Sequence, residues 1–152
     1  MTTGAGFRLD VTDAPEAAEL AAIGDALTAF NAADVGPSER QGLAVLLRDE
    51  SGVVVGGLAG FTAWTWLYVQ WLFVPEALRG RGIAAQLLAA AESEARRRGC
   101  GGAWIDTFSE TALAAYQRQG YTVFGALPGF PPGRTRWFLQ KRLEERPGIM
   151  LA

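Results

Sequence analysis

From Ser51 to Pro75 the chain carries no charged residue over 25 consecutive positions. A helix of that length is long enough to cross a bilayer, whose hydrocarbon core is about 30 Å thick. The composition of the run speaks against one. Gly56, Gly57 and Gly60 stand beside Val53, Val54, Val55, Thr62, Thr65 and Val69, with Trp and Tyr spread through the middle. Enrichment in β-branched and aromatic residues fits strands. The run reads as two successive strands of a mostly buried sheet, Val53 to about Phe61 and Leu67 to Val74. The turn between them, near Ala63 to Thr65, has no Gly or Asn to mark it.

The flanking sequence extends this pattern. Phe7 to Val11 reads as a first strand, and Thr12 or Asp13 as the cap of a helix with Pro15, Glu16 and Glu19 in its opening turns. Asn31 to Gln41 reads as a loop or a short second helix. Leu43 to Leu47 is a strand, with Asp49, Glu50, Ser51 and Gly52 supplying a hairpin turn into Val53. A helix beginning near Gly82 places Ile83, Leu87, Leu88, Ala91 and Ala95 on one apolar face, with Glu92–Arg96 and Glu94–Arg98 at ion-pair spacing. Then follow a strand at Ala103 to Thr107, a helix at Thr111 to Gln119, and strands at Tyr121 to Ala126 and Arg136 to Leu139. One parallel crossover, after Val74, interrupts an otherwise antiparallel order.

A length of 152 residues with 49% hydrophobic and 20% charged residues fits a single domain over 1–152 with a real core. The chain has no His and one Cys. That removes His-based acid–base chemistry, Ser-His-Asp triads and His or Cys metal sites, so no metal is expected. Met1 to Asp10 lacks a basic region followed by an apolar run, and a reducing cytoplasm is the expected compartment. Residues 1–75 hold three Arg against nine acids, and the remainder eleven Lys or Arg against seven, so −6 and +4 sum to the net −2. An acidic whole argues against nucleic acid as the partner, while a basic second half leaves room for a smaller anion.

Arg79-Gly80-Arg81-Gly82-Ile83-Ala84 lies between a strand and the helix it opens. Two Gly let backbone N–H groups converge on a ligand, and the helix N-terminus behind them carries partial positive charge. Such a turn suits a pyrophosphate. Gly80 to Ala85 also fits the dinucleotide pattern G-x-G-x-x-G/A, with Asp106 beyond it. That fit lacks its context, because a hairpin precedes the strand and five residues separate Val74 from Gly80.

The better match is R-x-x-G-x-A, as Arg79, Gly82 and Ala84, preceded by Leu72-Phe73-Val74-Pro75 and followed by Leu87-Leu88. It resembles the acyl-CoA-binding motif of the GNAT superfamily of N-acetyltransferases. Ala103-Trp104-Ile105-Asp106, then Ala112, Tyr116, Gly120 and Tyr121, resemble that family's second motif. The resemblance implies an α/β (α+β) fold: a mixed, mostly antiparallel sheet of about six to seven strands, helices on both faces, and a splay between two central parallel strands. It further implies acetyl-CoA as co-substrate, its pantetheine in that splay along Leu72, Phe73 and Val74. The pyrophosphate then falls on N–H groups across Arg79, Gly80, Arg81, Gly82, Ile83 and Ala84. Ser109 stands where many relatives place an Asn that touches the pantetheine.

Tyr116 matches the family's general acid, a phenol that stays protonated at neutral pH and can serve the departing thiolate. Many relatives carry a basic carboxylate on the central strands, but Ser51 to Pro75 contains none, so Asp106 is the candidate base and Glu110 the second choice. The resemblance implies direct transfer to a primary amine, a small molecule or a peptide N-terminus, in a ternary complex, with no membrane partner and a homodimer as one possible assembly. The rival reading is a non-catalytic acyl-CoA-binding module. Ala26 to Glu39, the Ala63 to Tyr68 turn and the Pro128 to Gly133 loop are the expected selectors of substrate. Trp64, Trp66, Tyr68 and Phe130 are candidates for an aromatic wall, and Cys100 for an inert, packed thiol.

Overall fold

A computed structural model describes residues 6–143. The chain divides into two compact units, Met1–Ser38 and Glu39–Ala152. The first holds α1 (Ala17–Val35), where the backbone N–H of Glu16 donates to the Glu19 carboxylate at 2.8 Å. Three differences from the sequence reading fall here. Phe7 to Val11 supplies an isolated bridge at Arg8 in place of a strand, with Arg8 turned onto the Asp10 carboxylate at 3.0 Å. The helix opens at Ala17, after Thr12 has spent its hydroxyl on the N–H of Ala14. It also runs on through Asn31, because nothing before Gly36, at φ 91°, breaks it.

The second unit holds a six-stranded sheet: β1 (Gln41–Arg48), β2 (Val54–Ala63), β3 (Trp66–Phe73), β4 (Gly102–Thr107), β5 (Thr122–Pro128) and β6 (Thr135–Arg142), in the order β1-β2-β3-β4-β6-β5. The uncharged run therefore forms the two strands β2 and β3. Every neighbouring pair is antiparallel except β3 with β4. At the first hairpin Asp49 Oδ1 accepts from the N–H groups of Ser51 and Val53 and from the Ser51 hydroxyl, which explains the turn. The second hairpin turns on Trp64 and Thr65, at φ 46° and 62°. Two left-handed residues give the twist a two-residue hairpin needs, but side chains other than Gly, Asn or Asp rarely adopt them. Gly101 N–H donates to the Thr65 carbonyl at 2.9 Å and helps hold the turn.

Two helices complete the unit, α2 (Ile83–Arg97) and α3 (Glu110–Arg118). Leu87, Leu88, Ala91 and Ala95 of α2 bury against Leu67, Val69, Ile105 and Leu139 of the central strands, and Tyr116 of α3 joins the same core. Glu94 pairs with Arg97 and Arg98, and Arg98 continues to the Gln41 carbonyl and the Thr62 hydroxyl, tying the end of α2 to β1 and β2. Glu92 departs from the surface pairing with Arg96. It lies on the buried face, 4% exposed, and accepts from Tyr121 Oη at 2.8 Å and Lys141 Nζ at 2.7 Å. A carboxylate in a core needs this compensation.

Candidate active site

The parallel pair β3/β4 is held only from Trp66↔Gly102 to Val69↔Ile105, and beyond that the strands part although both continue. The cause is visible on the other side of β3. There Ala59 pairs with Trp71 and Gly60 with Val69, leaving Gln70 as an extra residue. A bulge of this kind bends its strand and increases local twist, so Trp71–Phe73 swings away from β4. Gly60 is required opposite the bulge, since a Cβ there would sit 1.9 Å from the Tyr68 carbonyl oxygen.

The opening is a cleft of about 290 Å³. Gln70 to Phe73 form one wall and Ile105 to Ser109 the other, with Tyr116 and Arg136 closing it. Leu72 and Phe73 thus line the cleft. Val74 lies just past the end of β3, packs against the core, and accepts a hydrogen bond on its carbonyl from Arg79 Nε at 3.0 Å. That bond folds Arg79 back toward β3, with its guanidinium 5.9 Å from the Phe73 ring.

The chain then makes a single 3₁₀ turn (Glu76–Leu78) and reaches α2 through Gly80 and Gly82, at φ 79° and 73°. Both sit in the left-handed region that Gly occupies freely, and space is open where a Cβ would stand. No backbone carbonyl among the described residues accepts from the N–H groups of Gly80, Arg81, Gly82, Ile83 or Ala84. The Ile83 side chain belongs to the core, so its contribution to the loop is its N–H. Successive open donors at a helix N-terminus form an anion site.

Tyr116 is 5% exposed, and its hydroxyl is pushed up to about 12, first by burial and second by the charge of Asp106. It is therefore a proton-bearing donor throughout the neutral range. Asp106 is committed on both oxygens: Oδ1 accepts from Tyr68 Oη at 3.0 Å and Oδ2 from Arg136 Nη1 at 2.8 Å. Burial, then the bond to Asp106, raises Tyr68 above the ordinary phenol. Ser109 caps α3, its Oγ accepting from the N–H of Ala112 at 3.2 Å, while the residue lines the cleft. Glu110 opens α3 and is not among the residues lining the cleft.

The expected aromatic wall divides. Tyr68 stacks on Trp104 with ring centres 4.0 Å apart, and Phe130 covers the Arg136 guanidinium at 4.1 Å. Trp66 packs at the far end of β3 against Gly102, and Trp64 is consumed by the hairpin turn. Cys100 is buried, and burial raises its thiol above the ordinary value, in keeping with an inert side chain. Arg136 was not singled out in the sequence. It reaches the site because β6 pairs with β4 through Asp106↔Phe138, which puts Arg136, two residues from Phe138, on the side of Asp106. Only that strand order could have revealed it.

The description of the acetyltransferase (GNAT) family matches residues 13–121. The chain belongs to that family. It is 48% identical over 132 residues to acetyltransferase Atu2258 of Agrobacterium fabrum, covering 87% of this chain and 96% of that protein. It is 41% identical over 95 residues to the blasticidin-S acetyltransferase of Streptomyces morookaense, covering 62% of this chain and 70% of that one. A solved Agrobacterium tumefaciens protein assigned to the acetyltransferases superposes with a TM-score of 0.86 at 47% identity, covering 90% of this chain and 99% of its own. The family's acyl donor is acetyl-CoA. The open amides at Gly80–Ala84 and the splay between β3 and β4 fit its diphosphate and its pantetheine respectively.

Proposed function

We propose that the chain transfers the acetyl group of acetyl-CoA to a primary amine by direct attack in a ternary complex, without a covalent enzyme intermediate. The observation that carries this reading is the run of open amides from Gly80 to Ala84, which leads to a cleft between two diverging strands. In this reading those amides and Arg81 hold the diphosphate, and backbone along Leu72, Phe73 and Val74 holds the pantetheine, with Ser109 on the opposite wall. A backbone N–H of that β3 segment donates to the thioester carbonyl oxygen as negative charge develops there.

The amine nitrogen forms the new C–N bond, the C–S bond breaks, and coenzyme A leaves as a thiolate that takes up one proton. Tyr116 hydrogen-bonds the departing sulfur. A free thiol titrates near about 8.5, so a phenol pushed up to about 12 holds its proton more tightly than the thiolate competes for it. Its help is charge stabilisation through the hydrogen bond, and solvent completes the protonation. Asp106 receives the amine. Two of its roughly four acceptor positions are used by Tyr68 and Arg136, and the others can take ammonium N–H groups and the proton released before attack.

The engagement of both Asp106 oxygens, by Tyr68 and by Arg136, also favours a second reading, an acyl-CoA-binding module without turnover. Release of coenzyme A over a panel of primary amines and short peptides separates the two. Amine-dependent release that Gly82→Glu abolishes supports transfer. Coenzyme A binding without release for any amine supports the module. Undiminished coenzyme A binding by Gly82→Glu, with Gly82→Asn as the control for backbone strain, refutes the loop as the diphosphate site.

A further inference from the structure

Resting on the acetyl-transfer reading, we propose that Tyr68 is a positioning residue, whose hydroxyl fixes the rotation of the Asp106 carboxylate that receives the amine. The argument starts from what holds that carboxylate. Arg136 reaches it through one nitrogen and one oxygen, Nη1 to Oδ2 at 2.8 Å. A single contact of this kind balances the charge but leaves the end of the side chain loosely set, since the last torsion of an Asp is broad. Tyr68 Oη supplies the second point, donating to the other oxygen, Oδ1, at 3.0 Å. Donors from β3 and β6, one on each oxygen, hold the carboxylate in one orientation.

The donor is itself held rigidly. The Tyr68 ring lies on Trp104 with centres 4.0 Å apart and planes at 17°, and the Phe61 ring meets it edge-on at 5.6 Å. Tyr68 and Trp104 are register partners on β3 and β4, one rung before Val69↔Ile105, where the pairing ends. Asp106 stands two residues beyond Trp104, on the same face of β4. The Tyr68–Asp106 bond therefore runs diagonally from the closed part of the parallel pair to the base of the cleft. Asp106 lines that cleft and Tyr68 does not, so the phenol acts on an acceptor through the carboxylate and not by contact.

The chemistry of a phenol suits this task. Burial, then the bond to Asp106, raises Tyr68 above the ordinary phenol, so it remains a donor throughout the neutral range. It also adds no charge. It directs the acceptor positions left on Asp106 without cancelling their attraction for an ammonium, as a second cation would. Orientation matters because the amine must reach the thioester carbon along a narrow approach, and a displacement of about 1 Å can cost about 100-fold in rate.

The test compares wild type, Tyr68→Phe, Asp106→Asn and the double variant. Coenzyme A release from acetyl-CoA is followed with propylamine, benzylamine, putrescine and dialanine, alongside the Kd of coenzyme A. Tyr68→Phe removes one oxygen and keeps the ring on Trp104. Its kcat should fall by about 10-fold, the low end of what a hydrogen bond to a charged group is worth, with the Kd of coenzyme A and the KM for acetyl-CoA unchanged. In the Asp106→Asn background the same substitution should change kcat by less than about twofold, because the residue through which it acts is gone. An undiminished kcat in Tyr68→Phe overturns the proposal, as does a full 10-fold loss on top of Asp106→Asn. A Kd for coenzyme A that weakens in step with kcat also overturns it, making Tyr68 a structural tie at the splay. Two further results refute the readings beneath and take the proposal with them. Asp106→Asn at the wild-type kcat removes Asp106 from receiving the amine. A wild type that releases no coenzyme A with any of the four amines, while coenzyme A raises its Tm, refutes transfer itself.

Discussion

Alkaline pH should unfold this protein through its tyrosines. The chain has three, and all are held above the ordinary phenol value of about 10. Tyr116 is pushed up to about 12, by burial and then Asp106. Tyr121 is raised further, by burial and then the charge of Glu92. Tyr68 is raised by burial and then its bond to Asp106. Below pH 10 folded and unfolded chains both keep these protons, and the contribution to stability is whole. Above it the unfolded chain releases protons that the folded chain retains, so stability falls as pH rises. For Tyr116 the interval from about 10 to about 12, at about 1.36 kcal/mol per pH unit, is worth about 2.7 kcal/mol. Domains have only about 5–15 kcal/mol in total. Urea unfolding across the alkaline range, with phenolate absorbance followed in parallel, measures both quantities. Phenolate should appear only as the chain unfolds, and Tyr116→Phe should flatten the slope by about one proton. A phenolate signal centred near 10 in a protein that is still folded would refute the reasoning.

Tyr116→Phe should lower kcat by about 100-fold, the low end for removing a hydrogen bond to developing negative charge, with the KM for acetyl-CoA nearly unchanged; an unchanged kcat in steady-state assays removes Tyr116 from the chemistry. Lys141→Met leaves the buried Glu92 with Tyr121 alone, which should cost about 3–5 kcal/mol. At about 2–4 °C per kcal/mol for a chain of this size, a calorimetric Tm lowered by less than about 5 °C contradicts a buried ion pair. Gly60→Ala must push β2 from β3 at the bulge and should cost about 1–3 kcal/mol, read as a lower denaturation midpoint and weaker coenzyme A binding. Unaltered binding and stability would mean the bulge does not create the splay.

The sequence discloses what is local. The Asp49–Gly52 turn, the apolar face of α2 and the Gly-bearing entry to α2 each rest on residues within a few positions of one another, where side-chain chemistry acts directly on the backbone. The splay is expected from the family resemblance alone, and its local cause is not legible, since it depends on Gln70 being skipped opposite Gly60, a matter of register between strands. The turn at Trp64 and Thr65 is placed only by the strands on either side of it, because its residues adopt a conformation their side chains disfavour, held by Gly101 from a distant segment. Glu92 looks like a surface residue paired with Arg96 until Tyr121 and Lys141 arrive from β6 and the approach to β5. The same is true of the site. Gly82, Tyr116 and Asp106 stand out by motif, whereas Arg136 is recruited only when β6 settles beside β4.

Amide chemical shifts of the labelled protein during titration with coenzyme A test the central claim most directly. The N–H groups of Gly80–Ala84, open in the free chain, should shift most as the diphosphate engages them, accompanied by Trp71–Val74 along the diverging strand. Saturable binding that leaves those amides unmoved and perturbs another region would contradict the account.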